Sequence, residues 1–188
     1  MEGRDKVRDL VLMGFLIAIG TLSAHLVSIP VGGARLFPVQ HAINVAAAVF
    51  LGPGQGVLVA FSIGFLRNIL GTGTVLAFPG GIVGAFLAGY SYRITQKPWV
   101  ASAGEVFGTG VLGALIAYPM ARWVLGQPVA AFAYVIPFGI SSVTGAILGL
   151  ILVLGLRKIG LVEDRARCPR EPAGKMRRQT TETGGDRV

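Results

Sequence analysis

Charged side chains are scarce through the middle of this sequence. Only 14% of the 188 residues are charged, against about 25% in a typical soluble domain. Most of them lie in residues 1–9 and 157–188. Residues 10–156 contain six, namely Arg35, Arg67, Arg93, Lys97, Glu105 and Arg122. So few polar groups cannot cover the surface of a soluble fold, and we therefore predict that the lipid bilayer surrounds this part of the chain.

Groups for catalysis and metal binding are also few. The sequence has one cysteine, Cys168, and two histidines, too few for a metal site or a catalytic triad. It lacks the G-x-x-x-x-G-K-[ST] pattern of nucleotide hydrolysis and the H-E-x-x-H pattern of zinc proteases. We expect neither enzymatic activity nor a cofactor. The net charge of +8 does not indicate nucleic-acid binding, because the basic residues mostly flank apolar runs.

Long apolar segments are abundant, and glycine- and proline-rich turns separate them. They predict an all-α membrane protein with six transmembrane helices, at residues 10–29, 39–51, 55–70, 75–92, 99–125 and 129–156. The first segment has spanning length and is followed by others, so we interpret it as a helix and not as a cleaved signal peptide. We expect a kink at Pro119 and an interruption at Pro137.

Lysine and arginine placement predicts the orientation. With a cytoplasmic N-terminus, one side receives residues 1–9, the 52–54 turn, Arg93, Lys97 and the basic tail. The other side receives only Arg35 and Arg122. Cytoplasmic loops are the ones enriched in basic residues, so both termini are predicted to be cytoplasmic. We divide the chain into an N-terminal segment (1–9), a transmembrane domain (10–156) and a disordered basic tail (157–188).

Polar side chains inside the apolar segments are candidates for a binding site, because they are costly in a bilayer. Residues Gln40, His41 and Asn44 lie near the outer end of the second segment, Arg67 and Asn68 near the outer end of the third, and Glu105 in the fifth. Donors from Asn44, Arg67 and Asn68 suit a small ligand with acceptor atoms. Aromatic walls for a flat ring are expected from Phe37, Phe78, Tyr118 and Trp123.

Each of these residues also has a purely structural interpretation. His41 can cap its helix, Arg67 can extend towards the interface, and Trp123 can belong to an interfacial belt. Arg67 and Glu105 are the two deep opposite charges. Their predicted depths differ by roughly 10–15 Å at a rise of 1.5 Å per residue, so the sequence leaves their pairing open.

The first segment carries two pairs of small residues at four-residue spacing, Gly14 with Ala18 and Gly20 with Ala24. Small residues at this spacing allow close helix packing in membranes. Two interpretations remain open, namely packing within the chain and a docking face for another membrane subunit.

Four segments resemble the ThiW family. They are PVGGARLFPVQHAIN at 30–44, LRNILGTGTVLAFPG at 66–80, GEVFGTG at 104–110 and AYP at 117–119. The resemblance covers about residues 8–158 and leaves out the tail. It implies a six-helix substrate-binding (S) component of an energy-coupling-factor (ECF) vitamin transporter, in a prokaryotic cell membrane. The implied ligand is hydroxyethylthiazole, the thiazole precursor of thiamin.

The resemblance also implies partners. An S component works with a membrane coupling subunit and two cytoplasmic ATPases, and small residues on its first helix, matched here by Gly14 and Ala18, contact the coupling subunit. Three alternatives remain: an S component for another vitamin, a membrane scaffold without a ligand, and a facilitator that works without an ATPase.

Overall fold

Six helices and one short hairpin make up the part of the chain that the structure describes. The structure is a computed structural model, and it describes residues 2–31, 34–126, 128, 130 and 132–160. In these residues the helices are α1 (Glu2–Leu26), α2 (Pro38–Phe50), α3 (Pro53–Ile69), α4 (Ala77–Thr95), α5 (Pro98–Val124) and α6 (Val135–Lys158). Strands β1 (Ile29–Val31) and β2 (Ala34–Leu36) pair antiparallel between α1 and α2.

Proline marks the start of three helices. Pro38, Pro53 and Pro98 are the first residues of α2, α3 and α5. The first turn of a helix has no intrahelical use for the backbone N–H that proline lacks, and the fixed φ of proline suits that position. Gly52, directly before α3, has φ 88°, a conformation that glycine adopts at no steric cost.

Helix α2 lies at the centre of the bundle. It contacts each of the other five helices, and of its 13 residues only Val39 is not buried. It is about 20 Å long at 1.5 Å per residue, shorter than the roughly 30 Å hydrocarbon core of a bilayer. Because protein surrounds α2, its polar side chains do not face lipid.

Glycines on α6 let that helix approach α2 closely. A Cβ atom at Gly145 would lie 2.6 Å from the Cβ of His41, and one at Gly149 would lie 2.8 Å from the carbonyl oxygen of Ala42. These separations leave no room for a side chain. The many small residues inside the apolar segments therefore determine how near the helices come to one another.

The outer faces of the bundle are apolar. Exposed side chains on α1 include Leu10, Val11, Phe15 and Leu22, and those on α6 include Ile136, Ile147 and Ile151. Within the described residues, three helical stretches are long and apolar enough to cross a membrane, namely Lys6–Leu26, Pro98–Val124 and Val135–Lys158. The expected all-helical membrane class is confirmed, whereas the count of six spans stays a prediction.

Several predicted boundaries differ from the structure. Helix α1 begins at Glu2, eight residues before the predicted span, because the charged N-terminal segment continues the same helix. Helix α6 begins at Val135, so Pro137 lies in its first turn and does not interrupt it. The loop predicted at residues 30–38 contains the β1–β2 hairpin. Gln127, Val129 and the tail from residue 161, including Cys168, lie outside the described residues.

Helix α5 contains two π-helical stretches. They are Gly108–Gly113 and Met120–Val124, and between them lies an α-helical segment that ends at Pro119. A π-helical turn holds more residues than an α-helical turn, and such turns are frequent at functional sites. The residues beyond Gly113 therefore lie on a different face of the helix than an α-helical period predicts.

Candidate ligand-binding site

A small cavity lies at the N-terminal end of α2. Its volume is about 50 Å³, enough for a few water molecules at roughly 10–15 Å³ each. The hairpin and all helices except α1 contribute to its wall. The described lining residues are Arg35, Phe37, Gln40, His41, Arg67, Ala77, Gly80, Gly81, Thr109, Pro137, Phe138 and Ser141.

Arg67 reaches this cavity from the end of α3. Its side chain is only 1% exposed, so its charge needs partners inside the protein. The guanidinium donates hydrogen bonds to Gln40 Oε1 and to the carbonyl oxygen of Thr72, the latter at 3.2 Å. Its central carbon lies 3.7 Å from the ring centroid of Phe37, a cation–π contact. Arg67 therefore contacts three segments, namely α2, Phe37 directly after the hairpin, and the loop at residues 70–76.

Glu105 lies behind the cavity wall and is fully buried. Three groups approach its Oε1 atom, namely Nδ1 of His41 at 2.9 Å, Nδ2 of Asn44 at 3.0 Å and the hydroxyl of Thr109 at 3.0 Å. Thr109 is four residues after Glu105, so both side chains lie on one face of α5. The carboxylate thus organises polar side chains of α2 and α5.

A close approach between α4 and α5 shapes this region. A Cβ atom at Gly84 on α4 would lie 2.6 Å from Glu105 Oε2 and would also overlap the Thr109 hydroxyl. The carboxylate of Glu105 and the hydroxyl of Thr109 therefore occupy the space that a side chain at residue 84 would fill.

The structure places the predicted site residues in three groups. Phe37, Gln40, His41 and Arg67 line the cavity. Asn44 and Glu105 lie behind His41 and hydrogen-bond to each other. The third group, made up of Asn68, Phe78 and Tyr118, is not among the described lining residues.

Each member of the third group has other surroundings. Asn68 donates hydrogen bonds to the carbonyl oxygens of Gly64 and Thr74, at 2.8 and 3.2 Å. Phe78 packs on Phe61, with 5.5 Å between the ring centroids. Tyr118 is half-buried on α5. Trp123, also expected as a wall, is 78% exposed and fits the interfacial interpretation.

The site also contains residues that we did not predict as part of it. Arg35, Pro137, Phe138 and Ser141 line the cavity, as does Thr109. The Ser141 hydroxyl accepts a hydrogen bond of 2.9 Å from the backbone N–H of Phe37. This bond connects α6 to the residue that follows the hairpin. The polar character of Thr109, one turn after Glu105, was the available signal; Ser141 carried none.

Arg67 and Glu105 do not form an ion pair with each other. The partners of Arg67 are Gln40, Thr72 and Phe37, and those of Glu105 are His41, Asn44 and Thr109. The two charges are connected only through the neighbouring residues Gln40 and His41 on α2.

The two small-residue pairs on α1 have opposite surroundings. Gly20 and Ala24 are buried, and a Cβ atom at Gly20 would lie 2.9 Å from Ile63 Cγ1. Gly14 and Ala18 are exposed, and a Cβ atom at Gly14 would meet nothing within 4 Å. The first pair packs within the chain, and the second forms an outward-facing surface.

A polar cleft of about 610 Å³ lies at the other end of α2. Among its lining residues are Asp9 from α1, Gly52 and Gln55 at the start of α3, and Arg93 and Gln96 at the end of α4. Arg157, at the end of α6, donates a hydrogen bond to the hydroxyl of Tyr92, which also lines this cleft. Segments that we expected on the cytoplasmic side thus meet at one end of the bundle.

Comparison with known proteins gives one result. Residues 10–159 match the family described as thiamine-precursor transporter protein (ThiW). Neither the curated proteins nor the solved structures contain a significant match. The family match spans the bundle from α1 to the end of α6, including every residue that lines the cavity, and the chain therefore belongs to the ThiW family of thiamine-precursor transporter proteins.

Proposed function

We propose that this chain is the substrate-binding S component of an ECF-type importer and that it binds hydroxyethylthiazole at the N-terminal end of α2. One observation carries the proposal. One cavity is lined by Phe37, Gln40 and His41, which are close in sequence, and by Arg67, which belongs to a separate segment. In a thiamine-precursor transporter, a cavity with a buried cation, an imidazole and aromatic rings suits a small polar heterocycle.

The ring is bound between aromatic side chains and hydrogen-bonding groups. Phe37 and Phe138 supply apolar surface, and Arg67 supplies donors for an acceptor atom of the ligand. The guanidinium has five N–H groups, of which Gln40 and Thr72 take two, and in the bound state another N–H donates to the ligand.

Binding requires the cavity to widen, because pockets that enclose a small molecule have volumes of about 300–1,000 Å³. Phe37, directly after the hairpin, donates its backbone N–H to the Ser141 hydroxyl and stacks on the Arg67 guanidinium. We assign the opening to movement of the hairpin and the closing to its return over the bound ligand.

The remaining parts of the proposal concern orientation and energy supply. The polar cleft at the opposite end of α2 supports a six-span topology with both termini cytoplasmic. This topology would place the cavity at the outer face of the plasma membrane. Residues 161–188 extend the chain on the cytoplasmic side as a basic tail. ATP hydrolysed by two partner subunits drives release, and Gly14 and Ala18 contact the coupling subunit.

Calorimetric titration of the purified protein in detergent tests the ligand assignment. Hydroxyethylthiazole should bind, and thiamin and riboflavin should compete poorly. Selective binding of a different vitamin would replace the ligand while keeping the S-component role. If no vitamin-like compound binds, the ligand assignment is wrong and a scaffold role gains support.

Co-purification tests the partner assignment. When the chain is expressed with a coupling subunit and two ATPases, the four proteins should elute as one complex. Thiazole uptake by vesicles that contain this chain alone would contradict the proposal and would indicate a facilitator.

A further inference from the structure

The two ring nitrogens of His41 have different surroundings. Nδ1 lies 2.9 Å from Oε1 of the fully buried Glu105. Nε2 has no hydrogen-bond partner among the described residues. It is also not fully enclosed by protein, since the enclosed atoms that lack a partner do not include it. Since His41 itself lines the cavity, Nε2 is the polar atom that this side chain offers to a ligand.

The contacts of Glu105 determine which nitrogen carries the proton. An ionised carboxylate only accepts hydrogen bonds, and Oε1 is approached by Asn44 and Thr109 as well as by His41. His41 therefore donates through Nδ1–H.

Only the neutral imidazole leaves a ring nitrogen that can accept, because the doubly protonated ring donates through both nitrogens. In the neutral ring with a proton on Nδ1, Nε2 holds a lone pair and accepts hydrogen bonds.

We infer that Glu105 is a positioning residue that never touches the ligand, and that it holds His41 in the tautomer whose Nε2 accepts a hydrogen bond from a hydroxyl group of the ligand. This inference rests on the proposed function and refines it. It moves Glu105 out of the set of ligand contacts and identifies the chemical group on the ligand that His41 recognises.

The other polar groups around the cavity complement this acceptor. Arg35 and Arg67 are donors only. The Gln40 side-chain oxygen already accepts from Arg67, and the Ser141 hydroxyl accepts from Phe37. A ligand with an acceptor atom for Arg67 and a hydroxyl for His41 satisfies both kinds of group. Removal of that hydroxyl would leave Nε2 unpaired in a desolvated site.

Two substitutions of His41 separate this inference from a structural role. The terminal amide of glutamine reaches about as far as Nε2, whereas the amide of asparagine reaches only about as far as Nδ1. His41→Gln therefore keeps a polar group at the cavity and loses the Glu105 contact. His41→Asn keeps the Glu105 contact and loses the cavity group.

The affinities for hydroxyethylthiazole and for the ethyl analogue without the hydroxyl give the first readout. Wild-type protein should prefer the alcohol by about 10- to 100-fold, a range typical of a lost hydrogen bond at a buried site. His41→Gln should keep part of this preference, and His41→Asn should lose it. A larger preference for the alcohol in His41→Asn than in His41→Gln, or an equal loss of preference in both variants, would overturn the inference.

Nitrogen-15 NMR of labelled histidine gives a second readout that needs no ligand. The chain has two histidines, and His25 is exposed, so His25→Gln leaves a single signal pair. At neutral pH, His41 should show a protonated Nδ1 and an unprotonated Nε2. Glu105→Leu, which removes the acceptor of the Nδ1–H, should abolish this single tautomer in His41 and leave the His25 signal, recorded without the His25→Gln change, unaltered.

The two readouts distinguish the possible failures. If the thiazole alcohol does not bind wild-type protein, the proposed ligand is wrong, and the NMR tautomer alone decides the role of Glu105. If the alcohol binds but Nε2 is protonated, the inference is wrong and the proposed function stands. The His41 pair decides the question even if Glu105→Leu yields no folded protein.

Discussion

Two glycines in this protein, Gly84 and Gly14, occupy opposite kinds of surroundings. The Cα of Gly84 faces the carboxylate of Glu105 and the hydroxyl of Thr109, with no space for a methyl group. The Cα of Gly14 faces open space on the outer surface of α1. One glycine makes room for polar groups inside the bundle, and the other leaves an outer surface flat.

The difference shows that small residues have two separate uses in this chain. Inside the bundle they permit contacts that are already present within a single chain. On α1 the pair Gly14 and Ala18 has no contact to permit unless another molecule supplies it. Spacing alone does not distinguish these uses, because Gly20 and Ala24 share the spacing and are buried.

Gly84→Ala should have the largest effect on ligand affinity. The new methyl group would displace Glu105 and Thr109, and overpacking of this kind costs about 1–3 kcal/mol of stability. We expect a lowered melting temperature and no measurable thiazole binding in a thermal-shift titration. Gly14→Ala is the matched control and should show the melting temperature and thiazole binding of wild-type protein. The same melting temperature and binding in both variants would contradict the difference between Gly84 and Gly14.

Arg67→Met should have the next largest effect. Methionine keeps much of the apolar stem but loses the donors and the contact of the guanidinium with Phe37. Hydrogen bonds to charged groups contribute roughly 1.5–3 kcal/mol, so calorimetry should show an affinity loss of at least about tenfold. Arg122→Met, at an exposed residue that is not among the described lining residues, serves as the control. Unchanged affinity in Arg67→Met would show that the pocket is elsewhere.

Tyr118→Phe should change the affinity by less than about threefold, since Tyr118 is not among the described residues around the cavity. The same titration measures this effect. A loss as large as that of Arg67→Met would mean that the ligand-bound cavity extends along α5 beyond the π-helical stretch Gly108–Gly113.

Gly14→Leu should leave the affinity of the isolated protein unchanged, because its side chain would project away from the bundle. Its effect should appear only with partner subunits, as a loss of co-purification with the coupling subunit. The buried counterpart Gly20→Leu should instead destabilise the isolated protein. Normal complex assembly by Gly14→Leu would exclude this surface as the docking face.

Much of the architecture follows from the distribution of apolar and polar residues. The positions of the six helices were predicted to within a few residues in most cases, because prolines and glycines mark the turns between apolar runs. The polar block of α2 was also identified, since Gln40, His41 and Asn44 stand out in an apolar segment. That His41 and Asn44, three residues apart, both contact Glu105 follows from the helical period.

The rest of the site depends on features that sequence patterns do not contain. Asn68 adjoins Arg67 in sequence, but consecutive residues on a helix point about 100° apart, and Asn68 holds the 70–76 loop instead. Tyr118 follows a π-helical stretch that shifts its face. Ser141 is an ordinary serine on an apolar helix, and only the packing of α6 against α2 brings it to the cavity.

In the proposed mechanism, the contacts of Arg67 couple two segments that have to move when the site opens. One guanidinium stacks on Phe37, next to the hairpin, and donates to Thr72 in the loop between α3 and α4. Movement of either segment would deprive a buried charge of a partner, which is costly. In the proposed mechanism one side chain therefore restrains two loops that are distant in sequence, and a ligand that supplies acceptors to Arg67 would favour the closed arrangement of both.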